Sequence, residues 1–248
     1  MPIISDSTSC IDGRSLDFKL IDKVDYFSQT PYGNRNFNQF EIYPTCGKEY
    51  IFICIAKTGS SSVNIRLNHT VHPEPKYHHM GISDVVRHYP NIDLSKYFKF
   101  AFVRNPWDRF VSLYNDMYHR RNGKCGVMNY SGLVSKKSSL FAETSSFKEF
   151  CLGFENSGWV TEPHHKQQYD LLSIDGEVKI DFCGKFENLN EDWGLVCREL
   201  NFPSTFTLGH HMKSAVDVKN YREWYDDETK EVVARVYEKD IENWAYEF

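Results

Sequence analysis

Short apolar runs punctuated by turn residues dominate the chain. Tyr50-Ile51-Phe52-Ile53-Cys54-Ile55-Ala56 is continuously apolar, the pattern of a strand buried on both faces of a parallel sheet. It ends at Lys57-Thr58-Gly59-Ser60-Ser61-Ser62, and a modest helical pattern follows through Val63, Ile65, Arg66 and Leu67. A second run, Tyr97 to Val103, ends at Arg104-Asn105-Pro106. Asn105 is a good N-cap, Pro106 fits the first helical position and Asp108 the first turn. Phe110, Leu113, Tyr114 and Met117 then recur as a one-sided core stripe, leaving Arg104 and Ser112 outside it. A third run, Val178 to Phe186, mostly alternates and predicts a strand nearer the sheet edge, followed by a helix from about Leu189 to Leu200. Val233, Val236, Tyr237, Asp240 and Trp244 have the spacing of one C-terminal helix. Strands alternating with helices predict an α/β fold, a three-layer α/β/α sandwich with a mainly parallel central sheet. Residues 1–45 are polar and rich in turn signals, an irregular arm, and residues 46–248 read as a single domain with a basic loop inserted at 120–145.

Composition narrows the class. The chain is 41% hydrophobic and 15% aromatic, enough to bury a sizeable core. No run of 18 apolar residues is present, which excludes a membrane-spanning helix. The first residues lack the basic and apolar regions of a signal peptide. The expected location is cytoplasmic, with a Golgi-luminal catalytic domain lacking its anchor as the second reading. Seven cysteines without a Cys-x-x-Cys pair point to reduced thiols. Cys54 and Cys183 sit in apolar runs as small buried hydrophobes.

The net charge of −5 argues against nucleic acid as a partner. From Arg222 to Phe248 nine acids against four bases account for all of it, so the rest of the chain is neutral overall. Within that neutral part, 118–142 has no acid and five bases, Arg120, Arg121, Lys124, Lys136 and Lys137. Such a stretch suits either a solvated loop or a contact with an anionic ligand. The histidines include three adjacent pairs, 78–79, 164–165 and 210–211. Neighbours on a strand point to opposite faces, so a pair rarely chelates one ion. No His-Glu-x-x-His is present, and no metal is expected.

Strand, glycine turn and helix is the grammar of phosphate binding. The loop 57–62 is not a Walker A sequence, because its lysine precedes the glycine. Lys57, Thr58, Gly59, Ser60, Ser61 and Ser62 are the candidates for a first anion site, through N–H groups, hydroxyls and one ammonium. Arg104 and Ser112, eight residues apart, are the candidates for a second, with arginine supplying a bidentate fork. Arg109 reads instead as a surface partner of an aspartate. Ligands of parallel sheets sit at the carboxyl ends of the strands, where Lys57 and Arg104 fall. Two such sites suit a nucleotide with phosphates at both its 5′ and 3′ positions.

Lys57-Thr58-Gly59-Ser60-Ser61 with Arg104 to Tyr114 resembles the motif pair of the carbohydrate sulfotransferase family, the Golgi-type and bacterial "family 2" group. Lys185-Phe186-Glu187-Asn188-Leu189 with Asp192-Trp193, Tyr221 to Tyr225, and Tyr237 to Phe248 resemble its later segments. The resemblance implies a P-loop-like 5′-phosphosulfate loop at 57–62 and a 3′-phosphate motif at 104–114. The implied donor is 3′-phosphoadenosine 5′-phosphosulfate (PAPS), with no metal. Lys213 and Ser214 match further nucleotide contacts, although Met212 stands where many relatives carry asparagine.

In-line sulfuryl transfer needs a base for the acceptor hydroxyl and a positive group at the departing oxygen. Lys57 fits the second role. For the base, the resemblance points to His79, with His78 next and a carboxylate third. The acceptor is a carbohydrate or another hydroxylated molecule, and Arg120, Arg121 and Lys124 would meet an anionic one. Two other classes stay open: a nucleotide or small-molecule kinase, which would need an Asp ligand for Mg²⁺ that the sequence does not show cleanly, and a non-catalytic module binding nucleotide or glycan.

Overall fold

The computed structural model describes residues 42–43, 49–67, 80–121, 145–202, 205–208 and 220–248. The arm up to residue 41 and the basic segment 122–144 lie outside them, as do the side chains of Arg120 and Arg121. Two compact units divide the chain: residues 1–103 with 170–212, and residues 104–169 with 213–248.

The first unit is a mixed α/β structure. Its sheet contains β1 (Ile42–Tyr43), β2 (Glu49–Ile53), β3 (Tyr97–Val103) and, after the hairpin strands below, β6 (Phe182–Lys185). The order is β1-β2-β3-β6, so among the described residues β6 lies at the edge, as its alternation predicts. β2, β3 and β6 are parallel; only β1 is antiparallel, with Ile42 opposite Ile51. Helices α1 (Ser60–Leu67) and α2 (Ile82–His88) lie between β2 and β3 in sequence. Tyr50, Phe52, Phe100 and Phe102 share a core with Val63 and Leu67 of α1 and with Trp193, Val196 and Cys197 of α6 (Leu189–Glu199). Phe52 and Phe100 stack with centroids 5.0 Å apart. Ile51, Ile53 and Ala101 are fully buried too, so both faces of β2 and β3 are covered.

The run 178–186 does not form one strand. Glu177–Val178 (β5) pairs antiparallel with Ser173–Ile174 (β4), and only Phe182–Lys185 joins the main sheet. Asp175 and Gly176 have φ of 51° and 80°, the left-handed pair that a two-residue hairpin needs. Asp181 then fixes the register of β6. Its carboxylate accepts from the Lys99 main-chain N–H (2.7 Å) and pairs with Lys99 Nζ (2.7 Å), while its own N–H donates to Lys99 O (2.8 Å).

The second unit is helical and aromatic. It holds α3 (Pro106–Arg121), α4 (Phe147–Phe154), α7 (Asp227–Val236) and α8 (Glu238–Trp244). The short α5 (Gln168–Leu172) begins in this unit and ends in the first. Phe110, Tyr114, Phe147, Phe150, Phe154 and Tyr237 form a ring cluster, mostly tilted or edge to face. The C-terminal segment is two helices rather than the single one expected. Tyr237 (φ −116°, ψ 29°) separates them, and its hydroxyl donates to the buried His165 carbonyl (2.8 Å). Among the described residues no helix is long and apolar enough to cross a membrane.

Candidate active site

The sequence places the first anion site where β2 hands over to α1. After Cys54, Ile55 and Ala56, all buried, the chain turns with Lys57 at φ 69° and Gly59 at φ 76°. A lysine in the left-handed region is strained, and such strain collects at functional sites. Several polar side chains of the turn face inward as bracing. The buried Thr58 hydroxyl donates to Ile55 O (3.0 Å). Asn64 Nδ2 donates to Cys54 Sγ (3.3 Å), and Ser60 also bonds that sulfur. Burial holds the Cys54 thiol above its ordinary range, against the effect of those two bonds, so it is an inert anchor. Lys57 and Ser61 are only partly buried. No acid occupies the first turn of α1, so its positive end is uncompensated there.

Gly59 rests against the segment that opens α6. A Cβ there would lie 2.6 Å from Leu189 Cδ2 and 3.1 Å from Phe186 Cδ2. The Lys-Phe-Glu-Asn-Leu stretch is therefore the backstop of the loop. Gly59→Ala combines this clash with a left-handed φ, and an expected loss of about 1–3 kcal/mol of stability follows. Urea unfolding measures it; a loss below about 0.5 kcal/mol would contradict the described turn.

The residues expected to form the second site belong to the other unit. Asn105 caps α3: its Oδ1 accepts from Trp107 N (3.1 Å) and its Nδ2 donates to Glu247 O (2.8 Å). Arg104 meets Asp108 through a two-pronged pair, Nε to Oδ2 and Nη2 to Oδ1, both 2.8 Å. Ser112 is buried, at 7% exposure. The one-sided stripe expected for α3 is too narrow, because every residue from Arg109 to Asn115 is buried. Two residues escaped the sequence reading for this reason. Asn115, three residues after Ser112 and so on the same helix face, is 3% exposed with Nδ2 lacking an acceptor. A buried amide of this kind is a donor that a ligand can satisfy.

Arg109 is the other. It is 1% exposed, not a surface partner of an aspartate. Its Nη1 donates to Lys166 O (3.0 Å) and its Nη2 to His164 O (2.8 Å), so the guanidinium fork closes the loop between them. Burial lowers its pKa, and the fields of Tyr237 and Asp240 oppose that shift.

Asp240 is fully buried, and desolvation raises its pKa to about 6, against Arg109 and three hydrogen bonds that pull it down. The native state therefore holds a proton that the unfolded chain has released by about pH 4. The stability this confers is present below pH 4 and is lost as pH rises through 6. The stability difference, wild type minus Asp240→Asn, is expected to fall across pH 4–6, by at most about 1.4 kcal/mol per pH unit. Urea titrations at several pH values measure it, and a flat difference would contradict the burial described.

His78, His79, Lys124, Lys213 and Ser214 lie outside the described residues. Trp107 and Trp193 are buried as core residues, while Trp159, Trp224 and Trp244 are only partly so. Among the described residues no group of three or more His, Cys, Asp or Glu could hold a metal ion.

Comparison with known proteins gives the family. The chain is 25% identical over 154 residues to carbohydrate sulfotransferase 12 of Xenopus laevis, covering 56% of this chain and 37% of the relative. It is 27% identical over 151 residues to carbohydrate sulfotransferase 9 of Homo sapiens, covering 55% and 34%. An uncharacterized protein of Archaeoglobus fulgidus is 30% identical over 126 residues, 51% of this chain and 83% of that one. The chain thus spans about a third of the length of the two carbohydrate sulfotransferases. No solved structure matches. A family model described as "Sulfotransferase family" matches from residue 32 to residue 247, through the glycine turn, the arginine motif and the C-terminal helices, and the chain belongs to that family.

Proposed function

We propose that this protein transfers the sulfuryl group of PAPS to a hydroxyl of a carbohydrate or other hydroxylated acceptor. The observation that carries the reading is the parallel pairing of β2 with β3, each followed in the chain by one of the two anion motifs. In this reading residues 46–248 are one catalytic domain, a three-layer sandwich with a P-loop-like turn. The loop Lys57–Ser62 takes the 5′-phosphosulfate. Arg104, Ser112 and the amide of Asn115 take the 3′-phosphate, with Lys213 and Ser214 as further contacts.

The acceptor oxygen attacks sulfur as the bond from sulfur to the phosphate oxygen breaks. The acceptor's proton passes to His79, or to His78 in its place. The Lys57 ammonium meets the charge that develops on the departing oxygen. The residues fit a dianionic ligand: a helix N-terminus free of acids, a glycine beside it and one lysine. No step uses a metal ion, which separates this reading from a kinase.

Calorimetry with adenosine 3′,5′-bisphosphate is the test, with Lys57→Ala and Arg104→Ala alongside. Micromolar uptake weakened by both changes is expected, together with transfer of radiolabelled sulfate without Mg²⁺. No uptake, or uptake indifferent to both changes, overturns the reading. Neutralising Arg120, Arg121 and Lys124 is expected to raise the acceptor KM several-fold and leave nucleotide affinity unchanged. Unaltered acceptor kinetics would remove the anionic acceptor from the proposal.

A further inference from the structure

Gln168 and Asp240 are both fully buried and unused by the chemistry above. The Gln168 side-chain amide lies against the main chain of Arg104, the first residue after β3. Its Oε1 accepts from Arg104 N at 2.9 Å, and its Nε2 donates to Arg104 O at 2.9 Å. One primary amide thus pairs both backbone groups of a single residue, as a neighbouring strand would.

Asp240 fixes which way round that amide stands. Its Oδ2 accepts from Gln168 N (3.0 Å) and from Gln168 Nε2 (3.2 Å), and its Oδ1 accepts from Tyr169 N (2.8 Å). A flipped amide would set its carbonyl against the carboxylate and its NH₂ against the Arg104 N–H. The carboxylate therefore selects the orientation that clamps Arg104. The guanidinium of the same residue is held by the Asp108 fork. Main chain and side chain of Arg104 are fixed independently, at the point where strand gives way to helix.

Burying a carboxylate is costly, and the clamp joins segments 64 and 72 residues apart in sequence. We infer that Gln168 and Asp240 are positioning residues for Arg104, holding the backbone from which its guanidinium reaches a 3′-phosphate and so setting the preference for 3′-phosphorylated nucleotides. This rests on the assignment of Arg104 to the 3′-phosphate made above.

A merely structural pair would alter stability and leave that preference alone. The experiment is calorimetric titration with adenosine 3′,5′-bisphosphate and with adenosine 5′-monophosphate, on variants shown by circular dichroism to be folded. Gln168→Ala is expected to weaken the bisphosphate about ten-fold, the weight of one charge-assisted hydrogen bond, and to leave the monophosphate unchanged. Gln168→Met, which keeps the volume, and Asp240→Asn move the ratio the same way and stand in if the alanine variant does not fold. In an Arg104→Ala background Gln168→Met has no further effect on the ratio.

The outcomes separate. If Arg104→Ala preserves the wild-type ratio, or the wild type binds neither nucleotide, the assignment of Arg104 fails and the inference with it. If Arg104→Ala collapses the ratio while Gln168→Met and Asp240→Asn keep it, the inference alone is overturned.

Discussion

Replacing Lys57 by glycine is expected to lower kcat for sulfuryl transfer by about 10²–10³ while leaving the protein as stable as the wild type, within about 1 kcal/mol. The two halves of this expectation have separate physical causes. Residue 57 has φ 69°, a conformation that glycine adopts without the steric penalty a lysine bears. Relief of that penalty offsets the extra conformational freedom glycine gives the unfolded chain. Under the proposed mechanism, catalysis loses the ammonium that would meet charge appearing on the departing oxygen only as the bond breaks. A group of that kind acts on kcat more than on substrate affinity. A sulfate-transfer assay and a thermal melt on the same preparation decide the matter. A kcat within ten-fold of wild type would remove Lys57 from the chemistry. A fall of several kcal/mol in stability would show instead that its side chain braces the turn.

Arg109→Met is expected to destabilise the protein by about 3–5 kcal/mol, the usual result of removing one partner from a buried charged network. The guanidinium closes the loop at His164 and Lys166, and the Tyr237 hydroxyl holds the carbonyl between them. Its Cζ lies 5.7 Å from the Tyr237 ring centroid. Methionine fills much of the volume but donates to neither carbonyl, and it leaves the buried Asp240 without its opposing field. Arg109→Lys is expected to recover only part of the loss, because an ammonium lacks the planar fork that spans both carbonyls. Urea midpoints with unchanged slopes report the effect. A loss under about 1 kcal/mol would mean that the loop is held by the surrounding rings alone.

Local pattern carried the parallel strands and the two turns well. The apolar run at 97–103 coincides with β3 and the run at 50–56 covers all of β2 but Glu49, and Asn105-Pro106 marks the true start of α3. What escaped was decided by partners distant in sequence. Arg109 occupies a polar position on an amphipathic pattern, and the carbonyls of residues 164 and 166, with the fields of Tyr237 and Asp240, make its burial tolerable. Gln168 carries no motif at all. Asp240 did give a signal, since a carboxylate among Val233, Tyr237 and Trp244 at helical spacing demands buried donors. The hairpin at Asp175-Gly176 was equally open to reading, because this dipeptide is a strong turn signal. The apolar run through Val178 suggests one longer strand, but Val178 pairs back within the hairpin and only Phe182–Lys185 joins the main sheet.

The end of the chain returns to the arginine motif. Asn105 bonds the carbonyl of Glu247, 142 residues on; Trp107 Nε1 donates to Lys230 O, 123 on; and the Tyr225 hydroxyl donates to Trp107 O, 118 back. Phe248 sets its ring edge to face with Trp107, Tyr221 and Tyr225. During synthesis at about 5–20 residues per second, roughly 7–28 s pass between the emergence of Asn105 and that of Glu247. For that interval the indole of Trp107 and the rings around it wait on the ribosome without their partners. Nascent chains of this protein should therefore depend on holdase chaperones until residues 247 and 248 have emerged.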